Sequence, residues 1–206
     1  MSIKFTNSPW RQAEEILSLT DPIMCEIIKQ YGPCTLEPKQ QYFSLLCQSI
    51  ISQQLAAKAA DAINHRFITF YGGNPTPDSV ADTSWEELRS LGLSGQKTGY
   101  ILDLARKTLD GTVTPDSFSG MPDEDIIKQL IAVKGIGLWT AQIFLIFALN
   151  RPDVFPSDDL GLKKAVQKLY NLDVLPNKIL LSNISEKWRP YRTTASWYLW
   201  RSLENK

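Results

Sequence analysis

The sequence predicts an all-α protein. Apolar residues recur at helical spacing along most of the 206 residues, and we find no convincing run of the apolar and polar alternation that marks a half-buried strand. Prolines, glycines and acidic residues divide the apolar stretches into segments of helical length. With 43% hydrophobic and 21% charged residues, the composition is that of an ordinary globular protein, and the length suffices for one or two domains.

The chain before its central segment is predicted to contain six helices. The second opens with Asp21 as N-cap and Pro22 in the first helical position, and it ends near Gly32. The others follow from apolar periodicity, helped by a high alanine content in the fourth. The six cover residues 9–19, 22–32, 40–54, 56–70, 82–91 and 97–109.

The central segment, residues 126–149, is predicted to be two helices joined by a tight turn. The first apolar pattern ends at KGIG, and a second begins at once over residues 138–149. Gly135 and Gly137 let the backbone turn sharply and approach a partner, because they carry no Cβ. Amide N–H groups at the start of the second helix can hold a phosphate. The alternative is an ordinary helical hairpin whose glycines only permit close packing.

This segment resembles the helix-hairpin-helix of the DNA glycosylase superfamily. The residues that carry the resemblance are Leu130, Val133, Gly135-Ile136-Gly137 and Trp139-Thr140-Ala141, followed by DVFPSDD at residues 153–159. The V-F-P-x-D-D continuation is typical of the 3-methyladenine DNA glycosylase II branch. Together the hairpin and the aspartate loop extend the similarity over about residues 40–203.

The resemblance implies a helix-hairpin-helix glycosylase fold with two helical subdomains and a DNA-binding cleft. Residues 40–149 form the central subdomain, and residues 1–39 with 150–206 form the second, so that residues 1–206 are one glycosylase unit. No N-terminal β domain is expected, since the N-terminus is short. Helices over residues 160–170, 176–188 and 191–203 complete the prediction.

Two adjacent aspartates, Asp158 and Asp159, follow the proline of the loop. A carboxylate beside the deoxyribose C1′ stabilises the positive charge that develops as a base leaves, and it can orient or deprotonate water. The resemblance implies that Asp159 is catalytic, while Asp158 is interpreted as the N-cap of the next helix. Both could instead be caps. Relatives that also cut the strand carry a lysine where this chain has Trp139, so the resemblance implies no lyase activity.

The resemblance also implies a pocket for the everted base. Alkylated purines carry positive charge and are attracted to electron-rich rings. Trp139 and Trp200 match the family's pocket tryptophans and are predicted to stack on the base. Ile143 and Leu160 stand where relatives place aromatic residues, and Tyr191 is a further candidate to line the site.

Four residues are candidates to contact DNA beside the hairpin. Gln54 matches the residue that fills the gap left by an everted nucleotide, and its amide can both donate and accept. Leu93 lies where the family carries an apolar wedge. Each also has a structural alternative, Gln54 as a polar residue at a helix junction and Leu93 as a buried leucine. Lys97 and Lys134 are candidate phosphate contacts or solvated surface charges.

A structural sodium or potassium ion is the only cofactor that the resemblance suggests. The main-chain carbonyls of Ile131, Val133 and Ile136 match the family's cation ligands and, being oxygen donors, supply no activated water. The three cysteines form no C-x-x-C pair and lack the four-cysteine set of glycosylases with an iron–sulfur cluster. We therefore expect no cluster.

The function implied is hydrolytic removal of alkylated purines, such as 3-methyladenine and 7-methylguanine, from duplex DNA to start base excision repair. We expect a monomer that binds double-stranded DNA with alkylated bases or abasic sites and no membrane. Its location would be the cytoplasm or nucleoid of a bacterium, or the nucleus of a eukaryote. The formal net charge is zero, so the chain lacks the excess of basic residues that is typical of nucleic-acid binders. This favours one rival interpretation, a helical protein-interaction scaffold. A catalytically weak or silent binder of damaged DNA is the other rival.

Overall fold

The computed structural model describes residues 10–204, and all regular secondary structure in that part of the chain is helical. No helix among these residues is both long enough and apolar enough to cross a bilayer. The elements are α1 (Arg11–Thr20), α2 (Pro22–Tyr31), α3 (Tyr42–Ser52), α4 (Ala57–Phe70), α5 (Pro77–Ala81), α6 (Trp85–Ser90), α7 (Gly95–Leu109), a 3-10 helix (Pro115–Gly120), α8 (Asp123–Ile131), α9 (Leu138–Phe147), α10 (Leu160–Leu169), α11 (Lys178–Glu186) and α12 (Arg192–Arg201).

Capping side chains set several helix boundaries that the apolar pattern places differently. The helix predicted over residues 82–91 begins only at Trp85, because Ser84 forms a capping box there. A second capping box at Thr76 starts the short α5, which periodicity did not predict. Ser94 accepts the N–H of Lys97 and starts α7 earlier than predicted. The Asp21 cap and Pro22 of α2 are as predicted.

The chain divides into two compact units. One combines the chain up to Glu37 with the chain from Leu145 onward, and the other is Pro38–Phe144. The sequence predicts boundaries near residues 40 and 149. The second observed boundary falls inside α9, and sequence cannot show it because the apolar pattern continues through that helix.

A buried carboxylate joins the N-terminal and C-terminal segments of the first unit. Oδ1 of Asp21 accepts the N–H of Ile23 at 3.0 Å and so caps α2. Oδ2 accepts Nε1–H of Trp188 at 2.9 Å and the hydroxyl of Tyr170, and Nζ of Lys187 lies 3.0 Å away. Burial alone would raise the pKa of Asp21, but these hydrogen bonds outweigh it and hold the pKa below its ordinary value.

Asp21→Ala should lower the free energy of unfolding at pH 7 by roughly 3–5 kcal/mol, because it leaves buried donors without their acceptor. Since the folded pKa is depressed, the contribution of Asp21 is present above the unfolded pKa of about 3.9 and is lost as the pH falls through the folded value. Urea titrations at pH 7 and in acid should show the two proteins converging in acid. Exposed Asp61→Ala is the control, with a change within about 0.5 kcal/mol. Equal stability of Asp21→Ala and wild type at pH 7 would contradict this role.

Candidate functional site

The hairpin turn between α8 and α9 depends on Gly135. Its backbone φ angle is +83°, in the left-handed region that favours glycine. A Cβ added there would lie 2.1 Å from Cδ2 of Tyr100, whereas a Cβ on Gly137 would meet open space among the described residues. Gly135 therefore answers two requirements at once, an unusual backbone conformation and the close approach of an aromatic ring.

Two charged side chains of α7 anchor the same turn. Oδ2 of Asp103 accepts the main-chain N–H of Lys134 at 2.8 Å and the ammonium of Lys107 at 2.9 Å. The Lys107 ammonium also donates to the carbonyl of Ala132. Burial alone would raise the pKa of Asp103, but the hydrogen bonds from Lys134 and Lys107 hold it below its ordinary value. Side chains of α7 thus hold the turn through hydrogen bonds to its main chain.

A second turn, residues 53–56 between α3 and α4, meets the hairpin. We call it the Gln54 turn. Gln54 has a φ of +55, and its side chain is exposed. The neighbouring Gln53 donates from Nε2 to the carbonyl of Gly135 at 2.9 Å. This hydrogen bond joins the two turns directly.

One cavity of about 480 Å³ is lined by residues from both turns. It brings together four of the predicted site residues, Gln54, Gly135, Trp139 and Ile143, although they come from distant parts of the sequence. Trp139 is 46% exposed, so its ring is accessible from solvent. The complete lining is Ser49, Ser52, Gln53, Gln54, Gly135, Trp139, Thr140 and Ile143.

The hydroxyl groups of this lining were not predicted. Ser49 and Ser52 lie one helical turn apart on α3, and Thr140 interrupts the apolar sequence of α9. Thr140 was a usable signal in the sequence. A polar residue in an otherwise apolar helix beside the Gly-x-Gly turn indicates a helix face that lines a cavity rather than the core.

The other predicted DNA contacts of this unit differ in their placement. The side chain of Lys134 is exposed, which fits a contact with phosphate. Leu93 is 2% exposed, which favours the buried leucine over the wedge. The ammonium of Lys97 donates to the carbonyls of Ile51 at 2.8 Å and Gln53 at 2.7 Å. This placement turns Lys97 toward the protein backbone, in contrast to the predicted phosphate contact.

In the other unit, Asp159 is the N-cap of α10. Its Oδ1 accepts the N–H of Leu162 at 2.8 Å and Nε1–H of Trp200 at 3.0 Å. The prediction that Asp158 is the cap is wrong, because Asp158 is exposed and pairs with Lys178 at 3.4 Å. The loop ends one residue later than the sequence pattern suggested, so the capping position falls on the second aspartate. The two N–H donors fix the orientation of the Asp159 carboxylate.

Gly161 permits this arrangement and was missed in the sequence. A Cβ on Gly161 would lie 2.9 Å from Oδ1 of Asp159 and 3.2 Å from Cδ1 of Trp200. A glycine in the first turn of a helix, directly after the aspartate loop, was the available signal. It allows the indole and the carboxylate to meet above the helix backbone.

Three further candidates lie in this unit. The Trp200 ring also packs against Phe147, with ring centroids 5.5 Å apart. Leu160 is 55% exposed, and Tyr191 is partly exposed at the start of α12. Trp200 therefore contributes both an aromatic ring and the N–H group that donates to the Asp159 carboxylate.

The predicted cation ligands lie at the hairpin. The carbonyl of Val133 accepts the N–H of Ile136 at 3.1 Å, and a carbonyl oxygen has a second lone pair that is compatible with an ion. Ile131 is exposed, whereas the side chains of Val133 and Ile136 are buried. Within residues 10–204, no cluster of three or more His, Cys, Asp or Glu side chains is arranged to hold a metal.

Comparisons with known proteins agree on one group. A family model described as "HhH-GPD superfamily base excision DNA repair protein" matches residues 47–190. DNA-3-methyladenine glycosylase 1 of Schizosaccharomyces pombe is 36% identical over 87% of this chain and 80% of its own length. Alkylbase DNA glycosidase-like protein mag2 of the same yeast is 31% identical over 95% of this chain and 94% of its own. The solved structure of S. pombe 3-methyladenine DNA glycosylase (Mag1) in complex with abasic DNA matches with a TM-score of 0.82 and 34% identity, covering 93% of this chain and 96% of that one.

Gly135→Ala should lower the free energy of unfolding by roughly 2–4 kcal/mol, because an L-residue is strained at positive φ and its Cβ collides with Tyr100. Gly137→Ala is the matched control in the same turn, and its stability should stay within about 1 kcal/mol of wild type. Urea titration of the three proteins measures both effects. If the two variants prove equally stable, the close approach of Tyr100 does not constrain the turn.

Proposed function

Because the chain belongs to the HhH-GPD superfamily of base excision DNA repair proteins, we propose that it hydrolyses the N-glycosidic bond of alkylated purines in duplex DNA. The observation that carries this proposal is the Asp159 carboxylate. It stands at the motif position of the family's catalytic aspartate, and two N–H donors hold it in one orientation. The substrates are 3-methyladenine and related bases, in keeping with the names of the relatives.

The reaction requires stabilisation of positive charge on the sugar. As the bond from C1′ to the base nitrogen breaks, its electron pair leaves with the purine and the deoxyribose becomes cationic. The Asp159 carboxylate stabilises this cation and orients a water molecule, whose oxygen then bonds to C1′ while its proton is released. The indole N–H of Trp200 acts through Asp159, since it fixes the direction of the acceptor oxygen.

Base recognition rests on aromatic and apolar groups. The partly exposed ring of Trp139 offers an electron-rich face to a purine that alkylation has made positive, an attraction of about 0.5–2 kcal/mol. Trp200, Ile143, Leu160 and Tyr191 complete the proposed set. Alkylation also weakens the glycosidic bond itself, so binding needs to supply only part of the discrimination.

Main-chain amides of the hairpin and the Gln54 turn are the proposed DNA contacts. We propose that the amides at Gly135 and Gly137 bind a phosphate at the start of α9, with Lys134 beside them. Gln54 is exposed at its turn and fills the space that the everted nucleotide leaves. A sodium or potassium ion on the carbonyls of Ile131, Val133 and Ile136 would assist the phosphate contact without taking part in the chemistry.

Trp139 supports a monofunctional enzyme. Strand cleavage in relatives depends on a lysine amine that attacks C1′ and forms a Schiff base. An indole cannot form that intermediate. The abasic strand should therefore stay intact after the base departs.

A DNA binder without base release is the second candidate. Ile143 and Leu160 stand where relatives carry aromatic residues, and Leu160 is 55% exposed rather than packed. An aliphatic side chain lacks the negative ring face that attracts a charged base. Such a protein would bind abasic sites and leave damaged bases in place.

Asp159→Asn separates chemistry from folding, because asparagine is as good an N-cap as aspartate and keeps an acceptor oxygen for Leu162 and Trp200. On duplex DNA with methylated purines, the wild type should release free base without cutting the strand. The variant should lose base release by a factor of about 100 or more while binding abasic DNA as tightly. Chromatography of the released bases and a strand-cleavage gel measure both activities. Release by neither protein would favour the silent binder, and equal release by both would overturn the role of Asp159.

A further inference from the structure

The local main-chain hydrogen bonds of the Gln54 turn are long: the N–H of Gln53 donates to the carbonyl of Ile50 and the N–H of Leu55 to that of Ser52, each at 3.4 Å. Gln54 adopts a left-handed backbone that an L-residue keeps only when its surroundings determine it. No basic residue lies in the last turn of α3. Ala56, the N-cap of α4, provides no side-chain cap. The carbonyls of Ile51 and Gln53 instead take hydrogen bonds from another helix.

Lys97 supplies the main partner from α7. Its ammonium reaches the carbonyls of Ile51 and Gln53, on either side of the end of α3. Carbonyls at a helix C-terminus carry partial negative charge, so a cation is favoured there. Burial lowers the pKa of Lys97, as expected for an ammonium withdrawn from water.

The same face of α7 anchors the hairpin. Lys97, Tyr100, Asp103 and Lys107 follow one another at spacings of three, three and four residues, which places them on one side of the helix. Lys97 holds the Gln54 turn, and the other three contact the hairpin turn. One rigid helix therefore sets the positions of both turns.

We propose that Lys97 is a positioning residue that fixes the Gln54 turn before DNA binds. The inference rests on the proposed function, in which Gln54 fills the gap in the duplex. A turn that is already ordered spares the protein the entropic cost of ordering it on the DNA. Loss of the Lys97 hydrogen bonds should therefore weaken binding to abasic DNA in particular, because only that duplex has a gap for Gln54 to enter.

The test compares Lys97→Met, which keeps length but removes the donors, with Lys97→Arg, which keeps charge and donors. Lys128→Met on α8 is the charge-matched control, and Gln54→Ala is the reference for loss of the gap-filling side chain. Two quantities are measured: hydrogen exchange of the amides of residues 52–56 without DNA, and the ratio of affinities for abasic and intact duplex over a range of salt concentrations. If Lys97→Met does not fold, Lys97→Gln takes its place.

Lys97→Met should speed exchange in the Gln54 turn and lower the affinity ratio about tenfold, the effect of losing a hydrogen bond to a charged group. Lys97→Arg should restore most of the ratio, and Lys128→Met should leave both readouts as in wild type. The double variant with Gln54→Ala should be no worse than the more severe of the two single variants, because both act on one interaction.

Two outcomes would overturn the inference, and a third would overturn the proposed role of Gln54 on which it rests. Equal loss of affinity for both duplexes, with the slope of log affinity against log salt reduced by about one, would identify Lys97 as a phosphate contact. Faster exchange with an unchanged ratio, while Gln54→Ala lowers it, would show that Gln54 does not need the ordered turn. If Gln54→Ala itself leaves the ratio unchanged, Gln54 does not fill the gap. That result tests the proposed role of Gln54 separately from the role of Lys97.

Discussion

The approach of the hairpin backbone to α7 is the constraint on which the cavity of the central unit depends. A residue with a Cβ at position 135 would have to displace the Tyr100 ring, because Cδ2 of that ring lies 2.1 Å from the place that the Cβ would take. With the turn this close, Asp103 reaches the amide of Lys134 and Gln53 reaches the carbonyl of Gly135. Gln54 shares one cavity with Trp139 and Ile143 of α9 because these contacts fix the two turns against each other.

In the proposed mechanism, Asp159 combines stability with chemistry. Helix capping and the indole donor both use Oδ1, and both would remain with asparagine in its place. We therefore expect the proposed reaction, and not helix capping, to require the acid. Gly161 and Trp200 serve the orientation of the carboxylate, since the missing Cβ lets the indole approach Oδ1. This arrangement fixes an acceptor before a substrate arrives, as electrostatic catalysis requires.

Features that depend on neighbouring residues could be predicted from the sequence better than features that depend on contacts between distant residues. The all-helical class and the hairpin were predictable, because helical periodicity and Gly-x-Gly turns are properties of adjacent residues; the family that the motif resembles is confirmed. The capping position at Asp158 or Asp159 was not, since it depends on a shift of one residue in the loop. The hydrogen bonds of Lys97 could not be predicted, because its acceptors lie 46 and 44 residues away in the chain, where no spacing in the sequence points to them. The burial of Leu93 likewise depends on tertiary packing.

The most direct test of the central claim is a structure of the protein bound to a duplex that carries a stable abasic-site analogue. The account predicts that Gln54 lies inside the duplex opposite the unpaired base, with its turn unchanged and the hairpin amides at Gly135 and Gly137 on a backbone phosphate. A complex in which Gln54 stays outside the duplex, or in which the hairpin turn contacts no phosphate, would contradict it.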